Sequence, residues 1–180
     1  MILSNPHIFS LALASARSLA ESARFDEMLQ SCSALAQGTT DPDRLLGIAN
    51  LLLAYGFQSQ AKVILENLRA SGDLGSHDWR VLAQLASLLR DMGEHDKALA
   101  LYEDLIKRWP ERSQIQHSLL TSCEYAPHLS DGERLDKAKA WGQWAVARAG
   151  GMRARPRLQA LGQRPLRIGY VSADLCQHTV

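Results

Sequence analysis

The chain has 180 residues, 20 basic and 19 acidic, for a formal net charge of +1, and 46% of it is apolar. That length fits one domain, or one domain and the start of a second. The even charge argues against nucleic acid as a partner, the apolar share argues against disorder, and three cysteines without a CxxC exclude a disulfide framework.

Internal repeats decide the reading. The first copy spans residues 9–41. Ala12, Ser15, Ala16 and Leu19 recur at i, i+3, i+4, i+7, Ala23 stands at a turn, and Met28, Cys32 and Leu35 mark a second helix. The next copy, 42–75, opens on Asp41-Pro42, an N-cap with proline at the first helical position. Leu45, Ile48, Ala49 and Leu52 form its first stripe, Gly56 its turn, and Ala61, Ile64, Leu65 and Leu68 its second stripe. The third copy, 79–112, has Asp78 as cap, then Leu82, Leu85, Ala86 and Leu89, then Gly93, then Ala98, Leu101, Tyr102 and Leu105, and Pro110 as stop. The copies start at Phe9, Pro42 and Trp79, so the intervals are 33 and 37 residues. Alanines at 16, 49, 86, 61 and 98 let paired helices approach closely.

A degenerate unit, 113–150, begins near Ser113 with Leu119, Leu120 and Cys123 and breaks at Ala126-Pro127-His128. Ser130 and Glu133 form a capping box for a last helix that runs to about Ala149, where Gly150-Gly151 ends it. The 33- and 37-residue intervals bracket a known period. The figure resembles the tetratricopeptide repeat over about residues 9–112 and implies an all-α superhelix of antiparallel helix pairs over 9–150.

Past Gly150 the character changes. Residues 151–165 are basic, with Arg153, Arg155, Arg157 and Arg164, and no acid occurs before Asp174. This is a solvated linker or a strip that docks on a neighbouring domain. Leu166–Ser172 then reads as a β-strand after Pro165. One strand cannot make a sheet, so residues 166–180 are expected to open a second domain.

Arg164 to Val180, "RPLRIGYVSADLCQHTV", resembles the opening of the catalytic region of the SPINDLY/O-GlcNAc transferase family, a strand of the form L-R-[IV]-G-[YF]-V-S and then a loop with Asp and His. Residues 119–145, "LLTSCEYAPHLSDGERLDKAKAWGQWA", are similar to the segment that joins repeats to catalytic region in bacterial members. Leu175 and Thr179 depart from the family's usual aromatic and proline. The resemblance implies tetratricopeptide repeats followed by a two-lobed glycosyltransferase, here only the first strand of its Rossmann-like α/β lobe. It further implies a protein O-glycosyltransferase that moves sugar from a UDP-sugar donor to Ser or Thr. By position His178 corresponds to the histidine of the family's H-[PST] loop at the catalytic cleft. A histidine can take a proton near neutral pH, although a loop histidine that only holds backbone remains the other reading. The family's nucleotide pocket lies mainly in the second lobe, so no residue here is assigned to the donor, and the 180-residue chain alone is expected to be inactive.

First helices of such repeats line a groove. Between the stripes stand Arg17, Asn50, Arg80, Gln84, Arg90 and Asp91, which either hold a polypeptide or form a solvated face. Animal relatives carry an asparagine ladder there. This chain offers mainly Asn50, with Gly47 and Gln84 at ladder-like positions, so any grip is expected to rest more on arginine.

No other chemistry stands out. His7, His77, His95, His117 and His128 show no H-x-x-x-H spacing and read as surface residues, so no metal and no cofactor is expected within the chain. Cys32 and Cys123 read as core; Cys176 beside His178 makes only a thin Cys/His pair. Trp109, Trp141 and Trp144 read as core or docking aromatics. Expected partners are a polypeptide in the groove and the protein's own catalytic domain, with no nucleic acid and no membrane. The apolar runs fall far short of the roughly 18 residues that cross a bilayer, and Met1–Ser10 has no Lys or Arg, so a cytoplasmic location is expected. The competing reading is a free-standing repeat adaptor. A chaperone-tail clamp would need a Lys/Arg and Asn cluster that Arg80 and Arg90 alone do not make.

Overall fold

A computed structural model describes residues 5–72 and 78–152. They form eight helices: α1 Pro6–Glu21, α2 Phe25–Gln37, α3 Pro42–Ala54, α4 Gln58–Ser71, α5 Asp78–Asp91, α6 His95–Arg108, α7 Ser113–Cys123 and α8 Asp131–Arg148. Among the described residues there is no strand. The strand over 166–172, its loop and the linker lie outside them.

Neighbours in sequence are neighbours in space. Helices pair as α1 with α2, α3 with α4 and α5 with α6, and the pairs join through α2 on α3, α4 on α5 and α6 on α7. The reason lies at the crossing points. Ala16, Ala49, Ala61, Ala86 and Ala98 are each 0% exposed. A methyl group there lets two backbones close to ridge-into-groove distance while flanking leucines interlock. Ile48, Leu65, Leu85, Tyr102 and Leu105 fill the rest of one continuous core.

The turns repeat as well. In the second pair Gly56 N–H donates to Leu53 C=O (3.1 Å) and Phe57 N–H to Leu52 C=O (2.9 Å). In the third, Gly93 donates to Arg90 (3.0 Å) and Glu94 to Leu89 (2.8 Å); in the first, Ala23 donates to Ala20 (2.9 Å) and Arg24 to Leu19 (2.9 Å). The pivot residue is left-handed in all three, at φ 82 for Gly56, 81 for Gly93 and 58 for Ala23. Glycine adopts that conformation without penalty, whereas alanine at the same turn costs about 1–2 kcal/mol.

Helix starts follow capping chemistry. Asp41 Oδ1 accepts from the N–H of Asp43 (3.0 Å) and Arg44 (3.3 Å) ahead of α3. The capping box of α8 is formed, with Ser130 N–H donating to Glu133 Oε2 (2.8 Å) and Glu133 N–H to Ser130 Oγ (3.3 Å). The hydroxyl and amide of Ser130 hold the Glu133 carboxyl below its ordinary range.

Two expectations need correction. Helix α1 starts at Pro6, three residues before Phe9, because Asn5 Oδ1 accepts from His7 N–H (2.9 Å) and Pro6 sits in the first turn, the same device as Asp41-Pro42. The stripe of α1 is also different. Phe9, Ala16 and Ala20 are its buried residues, and Ser15 is exposed. Ser15 is the repeat-equivalent of Ile48 and Leu85, which are 0% and 1% exposed. Those two lie in helices stacked on a preceding pair; among the described residues nothing precedes α1.

Packing divides the chain after Ala145. The first unit holds α1–α7 and most of α8, which buries no residue completely. Within that unit Arg134 donates to the carbonyls of Cys123 (3.2 Å) and Ala126 (2.9 Å), and Lys137 Nζ to Glu103 Oε1 (3.0 Å). Of the second unit, residues 146–152 are described: they end α8 at Arg148 and place Gly150 and Gly151 at φ 86.

Candidate functional site

Helices α3 and α5 each present a polar stripe to one side of the stack. On α3 it is Asp43, Gly47 and Asn50, at i, i+4, i+7; on α5 it is Arg80, Gln84 and Ser87. The repeat intervals make these residues equivalent in pairs, Asp43 with Arg80, Gly47 with Gln84, Asn50 with Ser87. Two rungs cross between the helices. Arg80 Nη1 lies 3.5 Å from Asp43 Oδ1, and the Gln84 side-chain N–H donates to Asn50 Oδ1.

Between and beside the rungs is a groove of about 540 Å3, reaching to Tyr102 on α6 and Ser118 on α7. Gly47 faces α1, where an added Cβ would make ordinary van der Waals contact with Leu13 Cδ2 at 3.4 Å. At one end the Trp79 indole lies under two guanidinium groups, with Arg112 Cζ 4.0 Å and Arg80 Cζ 5.7 Å from its ring centre. Arg112 Nε is buried without a hydrogen-bond partner among the described residues, and the Glu111 carboxylate stands 3.9 Å away. Stacking on the indole holds such a cation where a single weak ion pair would not.

The structure thus gathers Asn50, Arg80 and Gln84 of the expected set around one groove. The other three do not line it. Arg17 is exposed on α1, in the column of Asn50. Arg90 is turned to its own helix end, with Nη2 2.8 Å from Asp91 Oδ1 and 3.3 Å from Ser87 Oγ. Asp91 is occupied by that pair. Sequence reasoning missed Asp43, Trp79, Ser87, Arg112 and Ser118. The 33- and 37-residue offsets could have found Asp43 and Ser87; Trp79, Arg112 and Ser118 come from packing across three helices.

The groove offers carboxamides, hydroxyls and the Arg80–Asp43 ion pair, and its carboxamides and hydroxyls complement a polypeptide backbone. Its two carboxamides bond to each other, so an incoming peptide would replace that bond. Among the described residues no group of His, Cys, Asp or Glu could hold a metal ion. His178, Cys176 and His77 lie outside the described residues. Cys32 and Cys123 are buried free thiols, and burial pushes both above the usual thiol range. His7, His117 and His128 are exposed, as expected of surface histidines, and His128 Nδ1 lies 3.2 Å from Asp96 Oδ1. His95 differs: it is half-buried and stacked on Tyr125, ring centres 5.4 Å apart. Trp109, Trp141 and Trp144 are half-buried. No described helix is long and apolar enough to cross a membrane.

Residues 79–121 match the family model described as tetratricopeptide repeat. No curated protein matches the chain. Among solved structures, it is similar to a variant of the nearly identical TPR-like repeats from Podosopora anserina, described as a kinesin light chain, at 16% identity and a TM-score of 0.61, covering 82% of this chain and 79% of that one. It is also similar to the MamA protein, at 18% identity and a TM-score of 0.57, covering 82% of this chain and 76% of that one. The fold is therefore all-α and of the tetratricopeptide-repeat type.

Proposed function

We propose that the chain is the protein-binding repeat region of a protein O-glycosyltransferase of the O-GlcNAc transferase type, with α3 and α5 presenting a polypeptide acceptor. The observation that carries the polypeptide part is the groove, lined by Asn50 and Gln84, which bond to each other, and by Trp79, whose ring carries Arg80 and Arg112. The glycosyltransferase part rests on the sequence Arg164–Val180 and on the joiner 119–145. In this reading the repeats hold the acceptor near the cleft, the donor is a UDP-sugar, and His178 accepts or positions the proton of the attacking hydroxyl. A free-standing adaptor uses the same groove without chemistry.

The test is sugar transfer. The complete protein, given UDP-N-acetylglucosamine and a Ser/Thr-rich polypeptide, should attach sugar to the polypeptide, and the 180-residue chain should not. His178→Ala should lower turnover about 10²–10⁴-fold with an unchanged thermal midpoint. Acceptor binding without transfer by the complete protein would favour the adaptor. Transfer that survives His178→Ala within a few-fold would leave His178 as a loop residue.

A further inference from the structure

The array carries a second groove on the other side of α3. Its floor includes Leu45 and Leu52 of α3 and Ile64 of α4, and its volume is about 740 Å3. At about 100° per residue, Leu45 and Leu52 point roughly opposite to Asp43, Gly47 and Asn50. The two grooves therefore lie back to back across one helix.

The chemistry of this second groove is distinct. No Lys, Arg, Asp, Glu or His lines it. Its rims are exposed carboxamides in two facing rows, Gln30 and Gln37 on α2 and Gln60 and Asn67 on α4. Each row repeats at seven residues, two helical turns, or about 10.5 Å. Val63 at its edge is 56% exposed, high for a residue of its type. Among the described residues, the one side-chain hydrogen bond of these four amides is long, Gln37 Nε2 to Ser33 Oγ at 3.4 Å.

An aliphatic floor favours apolar side chains, and a charge laid on it would lose water and find no counter-charge. The amide rows select further. A carboxamide carries both a donor and an acceptor and so matches one peptide unit. A helix satisfies its own backbone and would leave these rows unused, whereas an extended segment exposes its peptide groups on both edges. In a polyproline II backbone, extended and with no hydrogen bonds of its own, three residues make one turn and rise about 9.3 Å, so equivalent peptide groups return to one side at nearly the spacing of successive amides of a row. We infer that the α2–α4 groove binds an uncharged, extended polypeptide segment, gripped by its backbone through the two amide rows with aliphatic side chains on the floor. This site is independent of the α3–α5 groove and of any transferase activity.

The experiment uses the full 180-residue chain and an acetyl- and amide-capped nonapeptide of Leu, Ser and Gly, titrated by calorimetry. Saturable one-to-one binding is expected. Replacing the central Leu of the peptide by Asp, or N-methylating the central peptide bonds, should each weaken it about tenfold or more. Val63→Glu and Gln60→Arg, both at exposed positions, should abolish binding without changing the helical circular dichroism. Asn50→Ala with Gln84→Ala should leave it unchanged. Absence of binding, equal affinity for the Asp peptide, or loss on changing Asn50 and Gln84 would overturn the inference. So would a concentration-dependent dimer that Val63→Glu dissolves, since the occupant would then be a second copy of the chain.

Discussion

Leu85→Ala probes the packing that builds the array. Leu85 is 1% exposed and belongs to the continuous core. The change removes three carbon atoms, and at roughly 0.8 kcal/mol each their return to water costs about 2.4 kcal/mol. A cavity term adds to this, because Ala49, Ala86 and Ala98 of the same cluster have no reach with which to fill the space. The total should be about 3–4 kcal/mol. In urea, with a slope of about 2 kcal/mol/M, the midpoint should fall by roughly 1.5–2 M at unchanged slope. Leu11→Ala makes the same chemical change where the side chain is 59% exposed and should stay within about 0.5 kcal/mol of the parent. Equal costs for the two variants, or a loss below about 1 kcal/mol for Leu85→Ala, would refute the register of the repeats.

The turns give an opposed pair. Ala23→Gly should stabilise by about 0.5–1 kcal/mol, the about 1–2 kcal/mol of left-handed strain relieved less what the freer unfolded chain of glycine takes back, while Gly93→Ala should destabilise by about as much; thermal midpoints that move together would refute this. Asp41→Ala should cost about 1 kcal/mol and Asp41→Asn much less, and equal losses would mean the cap is not what starts α3. Glu94 is held down at about 2, first by hydrogen bonds from Lys62 of α4 and from Lys97, and Lys62 is raised in return. A carboxyl lowered by folding stabilises above its unfolded value of about 4.5 and loses that contribution as pH falls towards 2. Glu94→Gln should therefore lower the midpoint at pH 6–7, by an amount that shrinks steadily on acidification below about 4.5; a gap independent of pH would show that charge is not the cause.

How far the sequence could be read depended on how local the signal was. Ala49, Ala61, Ala86 and Ala98 announced the crossings through spacing alone, because a helix fixes which residues share a face. Gly56 and Gly93 announced turns because few other residues enter that conformation. Ser15 misled for a physical reason: its face is buried only where another pair stacks on it, which periodicity within one helix does not report. The Asn5-Pro6 start of α1 follows the same capping rule as Asp41-Pro42. Asn50 and Gln84 could be placed on one side of the stack, but their hydrogen bond depends on the distance between α3 and α5. The Arg112–Trp79 contact joins residues 33 positions apart, one on α5 and one just ahead of α7, and the amide-rimmed groove takes its walls from three helices. Neither follows from spacing within one element.

The proposed transferase reading is tested most directly by separating acceptor binding from chemistry in the full-length protein it implies. Sugar transfer from UDP-N-acetylglucosamine to a polypeptide acceptor would be measured for the parent, for Asn50→Ala with Gln84→Ala, and for Gln60→Ala. If the α3–α5 groove presents the acceptor, the double change should raise KM for the polypeptide about tenfold, as loss of one to two hydrogen bonds would, with kcat and the KM for donor unchanged, and Gln60→Ala should leave all three as they were. A double variant with the parent's KM for polypeptide, or one whose kcat falls while that KM stays fixed, would contradict it.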